Sequence, residues 1–257
     1  MEEAGRRARF RASQLVGEKG RATGASTSRR TEQYRKAKVP SVLADLLDVS
    51  AKSVRGSMHP YEDRVLVDEK QGLFAVADGV TGSSQGSGAV AAELALELLQ
   101  EDFAGDVVEA MQEVHRTVYE RRMTDRSIGE TTLTAAAVKG DLLQLGNLGD
   151  SPAYLIRGRT MRSLITADIT PLGRITQVVG YPETVNVHTE EAQLRERDVV
   201  IVASDGVGHV LYPSFIIPLA SESSANRIAE RIVEEARLTV TDYDDDKSVI
   251  VLRILDS

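Results

Sequence analysis

From residue 64 onward the chain alternates short apolar runs with polar breaks. The runs are RVLV (64–67), LFAVA (73–77), TLTAAAV (132–138), LLQLGNL (142–148), AYLI (153–156), RSLIT (162–166), VVIVA (199–203) and VIVLRI (249–254). Their shortness and β-branched content predict strands. Glycine-bearing breaks at 69–72, 139–141 and 157–159 predict tight hairpin turns. Three stretches carry a helical period instead. Residues 88–103 are rich in Ala, Leu and Glu. Residues 106–123 align Val107, Met111, Val114 and Val118, and residues 226–238 align Ile228, Ile232 and Ala236. Residues 41–50 (SVLADLLDVS) predict a short amphipathic helix against the domain.

Hairpins need only short turns, whereas parallel strands need long crossovers. The pattern therefore predicts an α+β fold: two packed antiparallel β-sheets flanked by helices, over residues 41–257. Residues 1–40 look different. They hold 11 Lys/Arg against 4 Asp/Glu, a net of +7, while the remainder carries −15; together these give the net charge of −8. With little apolar periodicity, this segment reads as a largely disordered basic tail. A solvated leader is favoured over an arm for an acidic partner. Its aromatic residues are few, chiefly Phe10 and Tyr34, so nucleic-acid binding by base stacking is disfavoured.

Composition then narrows the chemistry. There is no cysteine, which excludes disulfides, thiolate metal sites and a cysteine nucleophile. The four histidines (His59, His115, His188 and His209) lack zinc-hydrolase spacing. Carboxylates are plentiful, so a metal site here would be mostly oxygen-ligated, suiting Mg²⁺ or Mn²⁺. No apolar run is long enough to cross a bilayer, and no apolar signal core follows the N-terminus. A cytoplasmic location is the default expectation.

The carboxylates fall at strand ends. If Glu69–Gly72 form the first turn, Asp68 pairs with Leu73 and Asp63 comes opposite Asp78, with Glu62 adjacent. Like charges so placed repel unless a cation intervenes. Asp78 ends one apolar strand, and Gly79 beside it lets a ligand approach the backbone. Asp150, Asp205 and the Asp244–Asp246 run stand at the ends of other strands. One reading is a shared cluster that holds two divalent ions and activates a water. The other is a set of turn-forming aspartates. Spacing alone leaves the two level.

In order along the chain, four segments resemble motifs of the metal-dependent protein phosphatase type 2C (PPM) family. They are EDRVLVDEKQGLFAVADGVTG, GETTLTAAAV with GNLGDSPAYLIRG, RDVVIVASDGV and DDKSVIVLRI. The match runs from about Glu62 to Leu255 and excludes the basic tail. The resemblance implies two Mn²⁺ or Mg²⁺ ions, and in some members a third. It implies that Asp78 bridges both ions, with the Gly79 carbonyl as a further ligand. Asp205 and Asp245 would bind the first ion. Glu62 or Asp63 would hold the second, and Asp150 would serve a third. The implied activity is hydrolysis of phosphoserine and phosphothreonine in proteins, opposite a serine/threonine kinase.

Some positions depart from the family pattern. Met58 stands where many members carry a phosphate-binding arginine, for which Arg55 and Arg64 are candidate replacements. Val80 replaces a histidine general acid, and Pro152 and His209 replace an arginine and an acidic residue. The stretch 168–176 is short where many members carry a longer flap. These departures motivate an alternative: the same fold as a weak or inactive regulatory, partner-binding module. A nucleotide-binding reading of DGVTGSSQGSG is disfavoured, because no phosphate-loop lysine motif is present.

Overall fold

The computed structural model describes residues 46–82, 85–239 and 244–256. The basic segment 1–40 and residues 41–45 lie outside the described residues. Ten strands follow in chain order: β1 (Leu47–Val54), β2 (Arg64–Asp68), β3 (Leu73–Ala77), β4 (Leu133–Lys139), β5 (Leu142–Leu148), β6 (Ala153–Arg157), β7 (Thr160–Ser163), β8 (His188–Gln193), β9 (Val199–Ala203) and β10 (Lys247–Ile254). They form two antiparallel five-stranded sheets, ordered β1-β10-β9-β6-β7 and β2-β3-β4-β5-β8. The helices are α1 (Gly88–Asp102), α2 (Val107–Thr124), α3 (Pro213–Glu222) and α4 (Ala225–Leu238).

Side-chain alternation builds four layers from these elements. Along β3, Phe74 and Val76 enter the space between the sheets, where they join Val200, Val202, Ile250 and Leu252. Leu73, Ala75 and Ala77 face the other way and pack with Ala91, Ala95 and Leu99 of α1 and Met111 and Val114 of α2. Val199, Ile201 and Ala203 of β9 pack likewise with Ile216 of α3 and Ile228 and Ile232 of α4. Because β3 and β9 are covered on both faces, their sequences are unbroken apolar runs. Helix α2 starts where the Asp106 carboxylate accepts the Val108 and Glu109 amides at 2.9 and 3.1 Å.

The first hairpin has the predicted register, with Asp68 opposite Leu73 and Arg64 opposite Ala77. Extending that ladder by one pair brings Asp63 and Asp78 to the same end. Two expectations fail, and two elements go beyond them. Residues 47–50 belong to β1, not to a helix. Leu47, Val49 and Ala51 alternate onto the inter-sheet core, and pairing with β10 from Leu47↔Ile254 overrides the local helical pattern. The predicted strand at 162–166 stops at Ser163, although the Leu164 amide still bonds to the Ala153 carbonyl at 2.8 Å. Strand β8 and helix α3 were not anticipated. HTEEAQ is an edge strand with little apolar content, and α3 carries Pro213 at its start and Pro218 inside.

One ion pair fastens the sandwich away from the carboxylate end. Asp198 is buried and accepts Arg157 Nε at 2.8 Å and Nη2 at 2.6 Å, together with the Arg195 amide at 2.8 Å. Burial alone would penalise this carboxylate; three donors offset that cost. Arg157→Ala is expected to destabilise the fold by about 2–3 kcal/mol, since it strands a buried charge. Urea unfolding of the variant measures this.

Candidate metal centre

The ends of β2, β3, β5, β9 and β10 gather carboxylates from distant parts of the chain. Glu62 and Asp63 precede β2, and both are buried. Their position is set by Asp246, a buried residue just before β10. Its carboxylate accepts the amides of Gly56 at 2.7 Å, Glu62 at 2.7 Å and Asp63 at 3.3 Å. Asp63 Oδ2 accepts the Ser204 hydroxyl at 2.8 Å. Ser204 Oγ also accepts the Ser248 amide at 3.0 Å, so one serine ties Asp63 to β9 and β10. Glu62 Oε2 accepts the Thr81 hydroxyl at 2.5 Å.

Asp78 leaves β3 directly. Its amide bonds to Thr132 Oγ1 at 3.1 Å, and its carbonyl accepts the Thr132 amide at 2.8 Å and the Thr131 hydroxyl at 2.9 Å. These backbone contacts leave the carboxylate for the cluster. Gly79 follows at a point where chains nearly touch: a Cβ there would come within 2.4 Å of the Gly88 carbonyl carbon. Asp205 begins a 3-10 helix, Asp205–Val210, that leaves β9. The next residue, Gly206, abuts the start of β10, where an added Cβ would stand 1.9 Å from the Asp246 carbonyl oxygen. Gly206→Ala is therefore expected to push the 3-10 helix outward and weaken both the fold and any cation binding. Thermal unfolding and calorimetric titration with Mn²⁺ read the two effects.

Asp150 follows the turn at Gly149, whose φ is +104°. The buried Asp168 holds this turn. Its Oδ2 accepts the Gly149 amide at 2.9 Å, while its Oδ1 meets Gln177 Nε2 and His188 Nε2, each at 2.8 Å. The short 168–176 loop closes on itself through Thr176 N to Asp168 O at 2.7 Å and Thr170 N to Arg174 O at 2.8 Å. Asp245, the last of the group, accepts its neighbour's amide (Asp246) on Oδ1 at 2.8 Å. His59 Nε2 lies 2.6 Å from the same oxygen.

The electrostatics match a site made for cations. Burial drives the Asp63 carboxyl up to about 7, with Asp246 and Asp245 adding to the rise against the hydrogen bonds of Ser248 and Ser204. Burial, then Asp63, Asp205, Asp245 and Asp150, push Asp78 well above the usual carboxylate range. Asp205 rises to about 6 through burial, Asp245 and Asp150. One side of Asp205 faces solvent, so screening makes its energetic effect smaller than that of Asp63. Asp150 is raised by burial and by Asp168 and Asp245. Among the described residues no three of these groups are preassembled around one point. They are held instead by their own separate hydrogen bonds, such as those of Asp63 with Ser204 and of Asp245 with the Asp246 amide.

The donor set nevertheless fits hard divalent cations. Asp63 Oδ1 is buried without any hydrogen-bond partner, a costly state that a cation would relieve. Every candidate residue, Glu62, Asp63, Asp78, Gly79, Asp150, Asp205 and Asp245, lies at this end of the sandwich. The sequence reading missed Asp246, Ser204 and Asp168 as positioning groups, and it passed over His59. Arg64, one candidate for the place of the missing arginine, is engaged with its own chain and with Glu93. It donates to the Tyr61 and Asp63 carbonyls at 3.3 and 2.9 Å and lies over the Tyr61 ring.

Residues 52–238 match the family model described as protein phosphatase 2C. The chain belongs to the protein phosphatase 2C family. A serine/threonine phosphatase, stp, from Listeria innocua is 27% identical over 190 residues, covering 65% of this chain and 72% of that protein. Its counterpart from Listeria monocytogenes is 26% identical with the same coverage. Among solved structures, the catalytic domain of the serine/threonine phosphatase PstP in complex with two manganese ions superposes with a TM-score of 0.70. It is 24% identical, covering 82% of this chain and 99% of that one. PppA, a regulatory component of the type VI secretion system of Pseudomonas aeruginosa, gives 0.71 at 20% identity, covering 81% and 98%. Two antiparallel sheets between helices are thus the protein phosphatase 2C fold. No helix among the described residues is long and apolar enough to cross a membrane.

Proposed function

We propose that this protein hydrolyses phosphoserine and phosphothreonine in proteins with Mn²⁺ or Mg²⁺ as cofactor. The observation that carries the proposal is the cluster of strand-end carboxylates, which raise one another's proton affinities around a buried, unpartnered Asp63 oxygen. In this reading Asp78, Asp205, Asp245, Glu62 and Asp63 would hold two such cations, with the Gly79 carbonyl and Asp150 as further oxygen donors. Bound there, the cations lower the pKa of water and neutralise charge on the phosphoryl oxygens.

The chain's own residues do the rest. Asp246 fixes the backbone from Gly56 to Asp63, so Glu62 and Asp63 cannot drift from the cluster. Ser204 holds Asp63 from the β9 side. Asp168 orients the Gly149–Asp150 turn. The small 168–176 loop leaves the carboxylate end open, which suits a phosphorylated segment of a protein surface rather than an enclosed metabolite. The protein would then work opposite a serine/threonine kinase, in signalling and in the cytoplasm.

The test is phosphate release from a phosphothreonine peptide by metal-free protein with and without added Mn²⁺. Turnover is expected only with Mn²⁺. A folded protein that binds Mn²⁺ yet releases no phosphate would favour the partner-binding module instead.

A further inference from the structure

The Gly79–Val80 peptide is held from outside the carboxylate cluster. Residues 130–132 lead into β4 and run beside the chain leaving β3, with Gly79 opposite Thr131 in an antiparallel bridge. The Thr132 amide donates to the Asp78 carbonyl at 2.8 Å, and the Val80 amide donates to the Glu130 carbonyl at 2.9 Å. A peptide is planar and trans, so pinning the Val80 N–H on the Glu130 side turns the Gly79 carbonyl to the opposite side. That is the side of β2, because β3 lies between β2 and β4, and Glu62 and Asp63 directly precede β2. The direction of the Gly79 carbonyl thus depends on where residue 130 stands.

A third chain joins this ladder. The Thr131 amide donates to the Val179 carbonyl at 3.3 Å, and the Val179 amide donates back to the Thr131 carbonyl at 2.8 Å. One side chain clasps the ladder. Arg122, in the last turn of α2, is 4% exposed. Its Nη2 donates to Glu130 Oε1 at 2.5 Å, its Nη1 to the Gly180 carbonyl, and its Nε to the Ile128 carbonyl at 3.4 Å. The Glu130 carboxylate is mostly buried as well, so salt screens this pair weakly. A planar guanidinium reaches three such acceptors at once, which a lysine ammonium on a flexible stem does not do in the same geometry.

We infer that Arg122 is a positioning residue for the metal centre: by fixing Glu130 it sets the Gly79–Val80 peptide and so aims the Gly79 carbonyl. The inference rests on the metal-centre reading above. The Asp78 carbonyl has a second anchor in the Thr131 hydroxyl, at 2.9 Å, and the Asp78 amide has one in the Thr132 hydroxyl, at 3.1 Å. Loss of Arg122 therefore falls on Gly79 and Val80 more than on Asp78.

The experiment uses the full chain, stripped of metal. Calorimetric titration gives the Mn²⁺ affinity, and hydrogen exchange followed by NMR in chelator gives the protection of the Val80 amide. In Arg122→Lys and Arg122→Ala, Mn²⁺ affinity should fall about 10–100-fold, the usual effect of removing a group that orients a ligand without touching the ion. The Val80 amide should exchange faster, while amides of β9 keep their wild-type protection. Arg157→Ala supplies the structural control: it breaks a buried pair at the far end of the sandwich and should leave Mn²⁺ affinity unchanged. Glu130→Gln keeps the backbone carbonyl and weakens the pair, so a smaller fall is expected; it decides the test should neither Arg122 variant fold. Wild-type Mn²⁺ affinity in a folded Arg122→Ala or, failing that, in Glu130→Gln overturns the inference and leaves the metal centre standing. An equal fall in Arg157→Ala does the same. A folded wild type that binds no Mn²⁺ overturns both.

Discussion

Asp78→Asn is expected to lower Mn²⁺-dependent phosphate release by three orders of magnitude or more, about 4 kcal/mol of transition-state stabilisation. The same variant is expected to be more stable than the wild type when metal is absent. The two effects have one cause. Asp78 is surrounded by Asp63, Asp205, Asp245 and Asp150, and burial and these neighbours hold its proton affinity well above normal. Ionising it is therefore a standing cost to the metal-free fold, and asparagine removes that ionisation while keeping the shape. The backbone bonds to Thr131 and Thr132 are untouched by the change. The melting temperature in chelator should accordingly rise, by roughly 2–4 °C for each kcal/mol gained in a domain of this size.

The paired readout separates catalysis from folding. A variant that lost activity by unfolding would melt lower in the presence of a chelator, whereas a lost ligand gives the opposite sign. Thermal melts with chelator and with Mn²⁺, beside the phosphothreonine assay, supply both numbers. Retained turnover in Asp78→Asn would remove Asp78 from the site and undo the assignment of the cluster around it.

Legibility in the sequence followed the physics of each element. Strands β3 and β9 are buried on both faces, so LFAVA and VVIVA stand out as unbroken apolar runs. Edge strands carry no such signature. HTEEAQ in β8 alternates half-buried and exposed positions, and LDVSAKSV in β1 becomes a strand through its pairing with β10, nearly two hundred residues away in the chain. The site divides in the same way. Asp78, Asp150 and Asp205 are visible because each follows an apolar strand. Asp246 was hidden in a run of three aspartates, and only the fold shows that it binds three backbone amides while its neighbour Asp245 faces the cluster. His59 carried no motif, and its contact with Asp245 depends on a loop that returns to the start of β10.

In a chelator the protein is expected to lose stability as pH rises from about 4 to about 7.5. For Asp63 and Asp205 the folded-state values, about 7 and about 6, lie above the unfolded value of 3.8. A group so shifted holds its proton more tightly in the folded state. Its contribution is complete below the unfolded value and disappears as pH climbs through the folded one. For Asp63, the more deeply buried of the two, the loss is on the order of 3–4 kcal/mol; for the solvent-facing Asp205 it is less. Mn²⁺ should reverse the trend, because a cation competes with protons for these oxygens and binds better as they leave. At a hundredfold excess over the dissociation constant, binding adds about 2.7 kcal/mol. The gap between melting curves with and without Mn²⁺ should accordingly widen from pH 5 to pH 7.5. A gap that stays constant across that range would mean that the cation binds somewhere other than among these carboxylates.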